Sequence, residues 1–126
     1  MAPSAEIANE ALKSKGMYTE ENKVREFTDE EIKKTIEDFA KATEISIKSG
    51  YDGIEIHGAN NYLIQQFYSP FTNRRTDDWG GSDEKRMNFA LKIIDACCQV
   101  REKYKRPILE SRRFSLHYIH KLLIYK

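Results

Sequence analysis

Between Thr28 and His57 the chain spells out a helix, a stop and a strand in that order, and this unit constrains the fold more than any other feature. Thr28 and Glu31 stand at capping-box spacing, where each side chain satisfies a free backbone N–H at a helix start. Asp29 and Glu30 add negative charge at the positive end of the helix dipole. Ile32, Ile36, Phe39, Ala40, Thr43 and Ile47 recur at three- and four-residue steps and share one face. Gly50 ends the run, because glycine enters the left-handed conformation at a helix C-terminus cheaply. Ile54-Glu55-Ile56-His57 then reads as a short strand. The spacing predicts a helix over 28–49 and a strand over 53–57, the repeat of an α/β fold.

The rest of the chain extends the pattern. Residues 1–27 have weak periodicity and read as a lead-in loop. Residues 58–81 form a long polar and aromatic stretch punctuated by Pro70 and Gly80-Gly81, with room for a helical turn at Leu63 to Phe67. A connection this long inside a compact domain is usually functional. Ser82 caps a second helix, expected over 82–104, with Asp83 and Glu84 in its first turn. Its buried face is expected to be Met87, Ala90, Leu91 and Ile94, with Cys97 or Cys98. Pro107 precedes a second strand, expected near 107–110. Residues 116–126 mix apolar and basic side chains, and helix and strand both remain open there.

Composition removes several classes of function. The net charge is +1 over 126 residues, which gives no general reason to expect nucleic acid as a partner. No stretch is long and apolar enough to span a membrane, and the first residues lack the charged and apolar regions of a signal peptide. Cys97 and Cys98 are adjacent, so a bridge between them would be strained and could not staple distant segments. They read as two reduced thiols, one packed and one partly exposed, which fits a cytoplasmic location.

The chemistry-bearing segment runs from Asp52 to Phe67. A strand delivers His57 at its C-terminal end, and Asn60 and Tyr62 follow in the turn. In parallel α/β folds such strand ends are where side chains converge on ligands. His57 and Asn60 can donate hydrogen bonds and Tyr62 can donate a proton, a set suited to a carbonyl whose oxygen gains charge during reaction. By spacing alone, the same residues also read as a structural histidine, ordinary turn chemistry and a core tyrosine.

His57-Gly58-Ala59-Asn60, Tyr62-Leu63, Gln66-Phe67, Ser69-Pro70, Asn73-Arg74-Arg75-Thr76-Asp77 and Trp79-Gly80-Gly81-Ser82 together resemble the Old Yellow Enzyme family, in particular its bacterial NADH:flavin oxidoreductase branch. The likeness runs without a gap from about Phe27 to about Tyr104. It implies a (β/α)8 TIM barrel that binds FMN, takes a hydride from NADH or NADPH, and passes it to a small molecule with an activated alkene or carbonyl. It implies that His57 and Asn60 bind the substrate oxygen, that Tyr62 is the catalytic proton donor, and that Arg113 is the cofactor-binding cation beside the flavin ring. Asn61 departs from a position that is often Gly, and Asn tolerates the same left-handed region. Ser111 and Arg112 stand before Arg113 where Gly and an aromatic are expected, and Leu116 stands where Pro is expected. The Asn73–Ser82 stretch is read as a pinned structural loop.

A (β/α)8 barrel takes about 250 residues, so the likeness covers about the third helix to the fifth strand. The expected organisation is a lead-in over 1–27, a partial barrel over 28–115 and a divergent tail over 116–126. Truncation, gene decay or a change of frame near Leu109 would each account for the loss of likeness there. The chain alone is expected to be inactive and to self-associate through exposed strand edges. The alternative reading is a non-catalytic remnant or interaction fragment.

Overall fold

The computed structural model describes residues 1–104 and 109–114. Its elements, in order, are α1 (Ala5–Ser14), α2 (Asp29–Lys48), β1 (Gly53–Gly58), α3 (Leu63–Tyr68), α4 (Asp83–Tyr104) and β2 (Leu109–Phe114). The two strands pair in parallel, with Gly53 opposite Leu109 and His57 opposite Arg113. Parallel strands need a crossover, here supplied by α3 and α4. This is α/β architecture of the kind that builds a (β/α)8 barrel. The expected second strand at 107–110 begins at Leu109 and runs on to Phe114; Pro107, Ser115, Leu116 and the 116–126 tail lie outside the described residues.

Helix α2 starts as its capping box dictates. Thr28 Oγ1 accepts from the Glu31 N–H at 3.2 Å, and the Thr28 N–H donates to Glu31 Oε2 at 3.0 Å. The Arg25 guanidinium binds the same carboxylate at 2.6 Å; with the Thr28 amide it holds the Glu31 carboxyl down to about 2. Gly50, at φ 88°, ends the helix in the left-handed region.

The core lies between α2, α3, α4 and the inward side of β1. Ile32, Ile56, Ile64, Phe67, Phe89, Ala90, Ile93 and Cys97 are all buried there. Helix α4 packs against both α2 and α3. Its buried face is therefore Met87, Phe89, Ala90, Ile93 and Cys97, not the expected stripe through Leu91 and Ile94, which are half-buried. A helix facing two neighbours buries a wider arc than a single stripe describes. Cys97 is buried and Cys98 half-buried, and no disulfide joins them.

The N-terminal segment departs from the loop expected over 1–27, since residues 5–14 form α1. Helix α1 buries no residue of its own, and distant polar anchors hold its flanks in place. Asn9 brackets Val24, its Nδ2 donating to the Val24 carbonyl at 2.9 Å while the Val24 N–H donates to Asn9 Oδ1 at 2.8 Å. The Ala2 N–H donates to the Arg25 carbonyl at 3.0 Å, and the Phe27 N–H to the Ala2 carbonyl at 3.1 Å. Periodicity cannot register such long-range bonds.

The loop before α4 is a pinned scaffold. Arg75 donates to the carbonyls of Pro3 (3.2 Å) and Phe27 (2.8 Å) and pairs with Asp77 at 2.5 Å. Buried Asn73 donates to the carbonyls of Phe67 and Trp79, and Trp79 Nε1 donates to Asp29 at 2.7 Å. Gly80 lies so close to Arg75 that an added Cβ would meet the Arg75 carbonyl oxygen at 2.5 Å. Gly80→Ala is therefore expected to cost about 1–3 kcal/mol, read as a lower denaturant midpoint at unchanged slope. A variant as stable as the parent would show that the loop opens freely.

Candidate functional site

Side chains alternate along a strand. On β1 this puts Ile56 into the core and sends Glu55 and His57 to the other face of the sheet. Arg113, opposite His57 in register, reaches Glu55 with a guanidinium–carboxylate contact of 2.9 Å. Arg113, which the likeness makes the cation beside the flavin ring, is thus ion-paired with Glu55. The period-two spacing of Glu55 and His57 was the signal for that shared face.

His57 sits at the C-terminal end of β1, where the sequence places it. Its Nδ1 is buried and has no hydrogen-bond partner among the described residues. Buried polar atoms are nearly always satisfied, so an orphaned ring nitrogen at a strand end calls for a partner such as a water, an ion or a ligand. The Tyr62 ring packs on His57, centroid to centroid 5.3 Å at an interplanar angle of 57°. Tyr62 is itself 61% exposed. The structure therefore brings His57 and Tyr62 together directly.

Asn60 and Asn61 form the turn between them, both at φ 58°. Two successive non-glycine residues in the left-handed region make a sharp reversal that asparagine tolerates better than most. Asn60 is exposed at this turn, and its neighbour Asn61 takes the positive φ that the sequence argument allowed it. Helix α3 follows at once, with Tyr62 as its N-cap. The Asn61 N–H donates to Gln65 Oε1 at 2.8 Å, and Gln66 Nε2 donates to the Asn61 carbonyl at 2.8 Å.

Sequence reasoning missed Tyr68. It is buried, and its hydroxyl donates to the Gly58 carbonyl at 2.6 Å, so α3 pins the strand end just beyond His57. Nothing in the spacing of Tyr68 and Gly58 announces that bond; only the fold of α3 back onto β1 creates it.

A family model described as NADH:flavin oxidoreductase / NADH oxidase matches residues 1–117. The chain belongs to this family. The match takes in the N-terminal helix as well as the stretch whose motifs carry the likeness to Old Yellow Enzyme. Among its relatives, the "Probable NADH-dependent flavin oxidoreductase YqiG" of Bacillus subtilis is 61% identical over 71 residues, 56% of this chain and 19% of that protein. NADH:acrylate oxidoreductase of Vibrio harveyi is 48% identical over 91 residues, 71% of this chain and 9% of that protein. Morphinone reductase, solved in complex with tetrahydroNAD, superposes with a TM-score of 0.59 at 41% identity over 60% of this chain and 21% of its own. The chain thus spans a fifth or less of the length of these curated relatives. No helix among the described residues is long and apolar enough to cross a membrane.

Among the described residues, one candidate contact for a flavin ring lies on the His57 face of the sheet. Arg113 places a cation on the His57 face, where it could balance an anionic ring, although Glu55 already takes part of its charge. Two of the helix starts are unsuited to a flavin phosphate. A phosphate seeks helix N-termini, but the first turns of α2 and α4 carry Asp29, Glu30 and Glu31, and Asp83 and Glu84.

Proposed function

We propose that this chain carries the substrate-facing part of an FMN-dependent NAD(P)H oxidoreductase acting on an activated alkene or related carbonyl compound. It would span about the third helix to the fifth strand of the barrel, with 28–115 as the barrel segment. The observation that carries this reading is the orphaned, buried Nδ1 of His57 beside the exposed Tyr62 ring at the C-terminal end of a parallel strand. The relatives named for NADH-dependent flavin chemistry support it.

In this reading His57 and Asn60 donate hydrogen bonds to the substrate's carbonyl oxygen. Charge gathers on that oxygen as a hydride reaches the β carbon, and donors fixed in advance lower the barrier because they need no reorganisation. Tyr62 delivers the proton to the α carbon, so hydride and proton together saturate the double bond. Arg113 holds the ring edge on the same face. FMN, when bound, supplies the hydride relay from NADH or NADPH.

The test is a graft. Residues 1–104 would replace the matching stretch of the complete Bacillus subtilis relative, and NADH-dependent reduction of 2-cyclohexenone would be followed. The chimaera is expected to turn over, and His57→Ala is expected to lower kcat/KM by about a hundredfold, the usual scale for one lost oxyanion donor. A chimaera that reduces its flavin but whose His57→Ala variant handles the enone equally well would reject the role of His57.

The chain alone is expected not to hold FMN tightly. One partly balanced cation cannot offset the freedom lost on binding, at least about 4 kcal/mol. Mixed with FMN and passed through a desalting column, the chain should emerge colourless. β1 has one hydrogen-bonded neighbour among the described residues, which leaves its other edge open for pairing. A yellow, monomeric, NADH-oxidising protein would overturn this expectation.

A further inference from the structure

We propose that Gln65 and Gln66 are positioning residues, a two-sided clamp on Asn61 that holds the left-handed turn and thereby aims Asn60 and Tyr62. The proposal rests on the oxygen-binding role given above to His57 and Asn60.

Two consecutive asparagines at φ 58° sit in a region most residues avoid, so something outside the turn must favour it. The described bonds to the two peptide groups of Asn61 come from α3. Gln65 accepts from the Asn61 N–H and Gln66 donates to the Asn61 carbonyl, each at 2.8 Å. Adjacent helix residues point in different directions, so the two side chains can reach Asn61 from two sides. The Tyr62 N–H donates to the Ala59 carbonyl at 3.2 Å, and the Gln66 N–H to the Tyr62 carbonyl at 2.9 Å, closing the loop onto the helix. If φ at Asn60 and Asn61 reverted to ordinary values, the chain would leave the turn in another direction. Tyr62 would then no longer rest on the His57 ring, and Asn60 would be carried away with the turn.

The backbone partners settle which end of each amide is used. An N–H can only donate, so Gln65 must present its oxygen; a carbonyl can only accept, so Gln66 must present its nitrogen. The clamp therefore requires an acceptor at 65 and a donor at 66. Gln65→Glu and Gln66→Lys preserve it, whereas Gln65→Lys and Gln66→Glu break it. The helix dipole also favours Glu at 65, in the first turn of α3, and Lys at 66, nearer its end. Exchange of the Ser69 amide, which bonds the Gln65 carbonyl and reports the helix itself, should therefore stay at the parent rate in all four variants.

The experiment uses the full chain, labelled with nitrogen-15, and two readouts. The first is hydrogen exchange at the Asn61 amide. The second is titration with 2-cyclohexenone, a neutral carbonyl compound, followed through the Asn60 side-chain amide and the His57 ring. The two breaking variants are expected to weaken enone binding about fivefold, the equivalent of one net hydrogen bond of about 1 kcal/mol. Gln65→Lys is expected to speed Asn61 exchange by a similar factor. The two preserving variants should match the parent in both. Equal behaviour of Glu and Lys at each position would overturn the clamp. If the parent chain itself gave no enone response, the oxygen-binding role would be decided by the flavin-loaded chimaera, and exchange at Asn61 alone would decide the clamp, separating the two failures.

Discussion

Tyr62→Phe, placed in the chimaeric barrel, is expected to slow enone reduction by about 10²- to 10⁴-fold, the usual contribution of one general acid. Flavin reduction by NADH should stay nearly unchanged, because that half-reaction needs no proton at the substrate's α carbon. The expectation comes from geometry. Tyr62 is exposed and its ring rests at 5.3 Å on His57, the residue proposed to bind the substrate oxygen. Phenylalanine keeps the ring contact and removes only the hydroxyl. Stopped-flow measurement of the two half-reactions separates them. If both slowed equally, Tyr62 would be shaping the site rather than donating a proton.

The largest stability effect is expected at Phe67. It is fully buried, stacked on Phe89 with ring centroids 4.0 Å apart, and tilted against Phe27 at 5.9 Å. Phe67→Ala leaves a cavity at the junction of α3, α4 and the entry to α2 and should cost about 3–5 kcal/mol. That is a large share of the roughly 5–15 kcal/mol that holds a typical domain together. Denaturant unfolding followed by Trp79 fluorescence would measure it. The same helix carries the two glutamines that bind Asn61 and the tyrosine that pins Gly58, so the turn between Asn60 and Tyr62 should also loosen. A loss below about 1 kcal/mol would mean that the ring sits in a core able to collapse around the gap.

Local chemistry was legible in the sequence wherever it was local in the chain. The Thr28–Glu31 box, the Gly50 stop and strand β1 each depend on residues a few positions apart, and each lies where its pattern put it. The same holds for the order of His57, Asn60 and Tyr62, because a strand end and the turn after it are a single short stretch. Helix α1 escaped notice because bonds between residues 15 or more apart, such as Asn9 to Val24, hold its flanks, and its own face buries nothing. The α4 face was read too narrowly for a related reason: α4 faces both α2 and α3, and Phe89 stacks on Phe67 of α3, a neighbour that no single-helix period encodes.

The tertiary structure alone decided what the site residues do with one another. The sequence determined that a histidine ends a strand; the packing of α3 against β1 left its Nδ1 buried without a partner and laid Tyr62 across its ring. Parallel pairing, a contact across 58 residues, brought Arg113 to Glu55 and turned a basic pair in the sequence into a cation on the His57 face. Capping, stops and alternation are short-range effects of backbone geometry and so are written in neighbouring residues. Ion pairing, orphaned polar atoms and ring contacts depend on which surfaces the packed core brings together, and they exist only once the chain has folded.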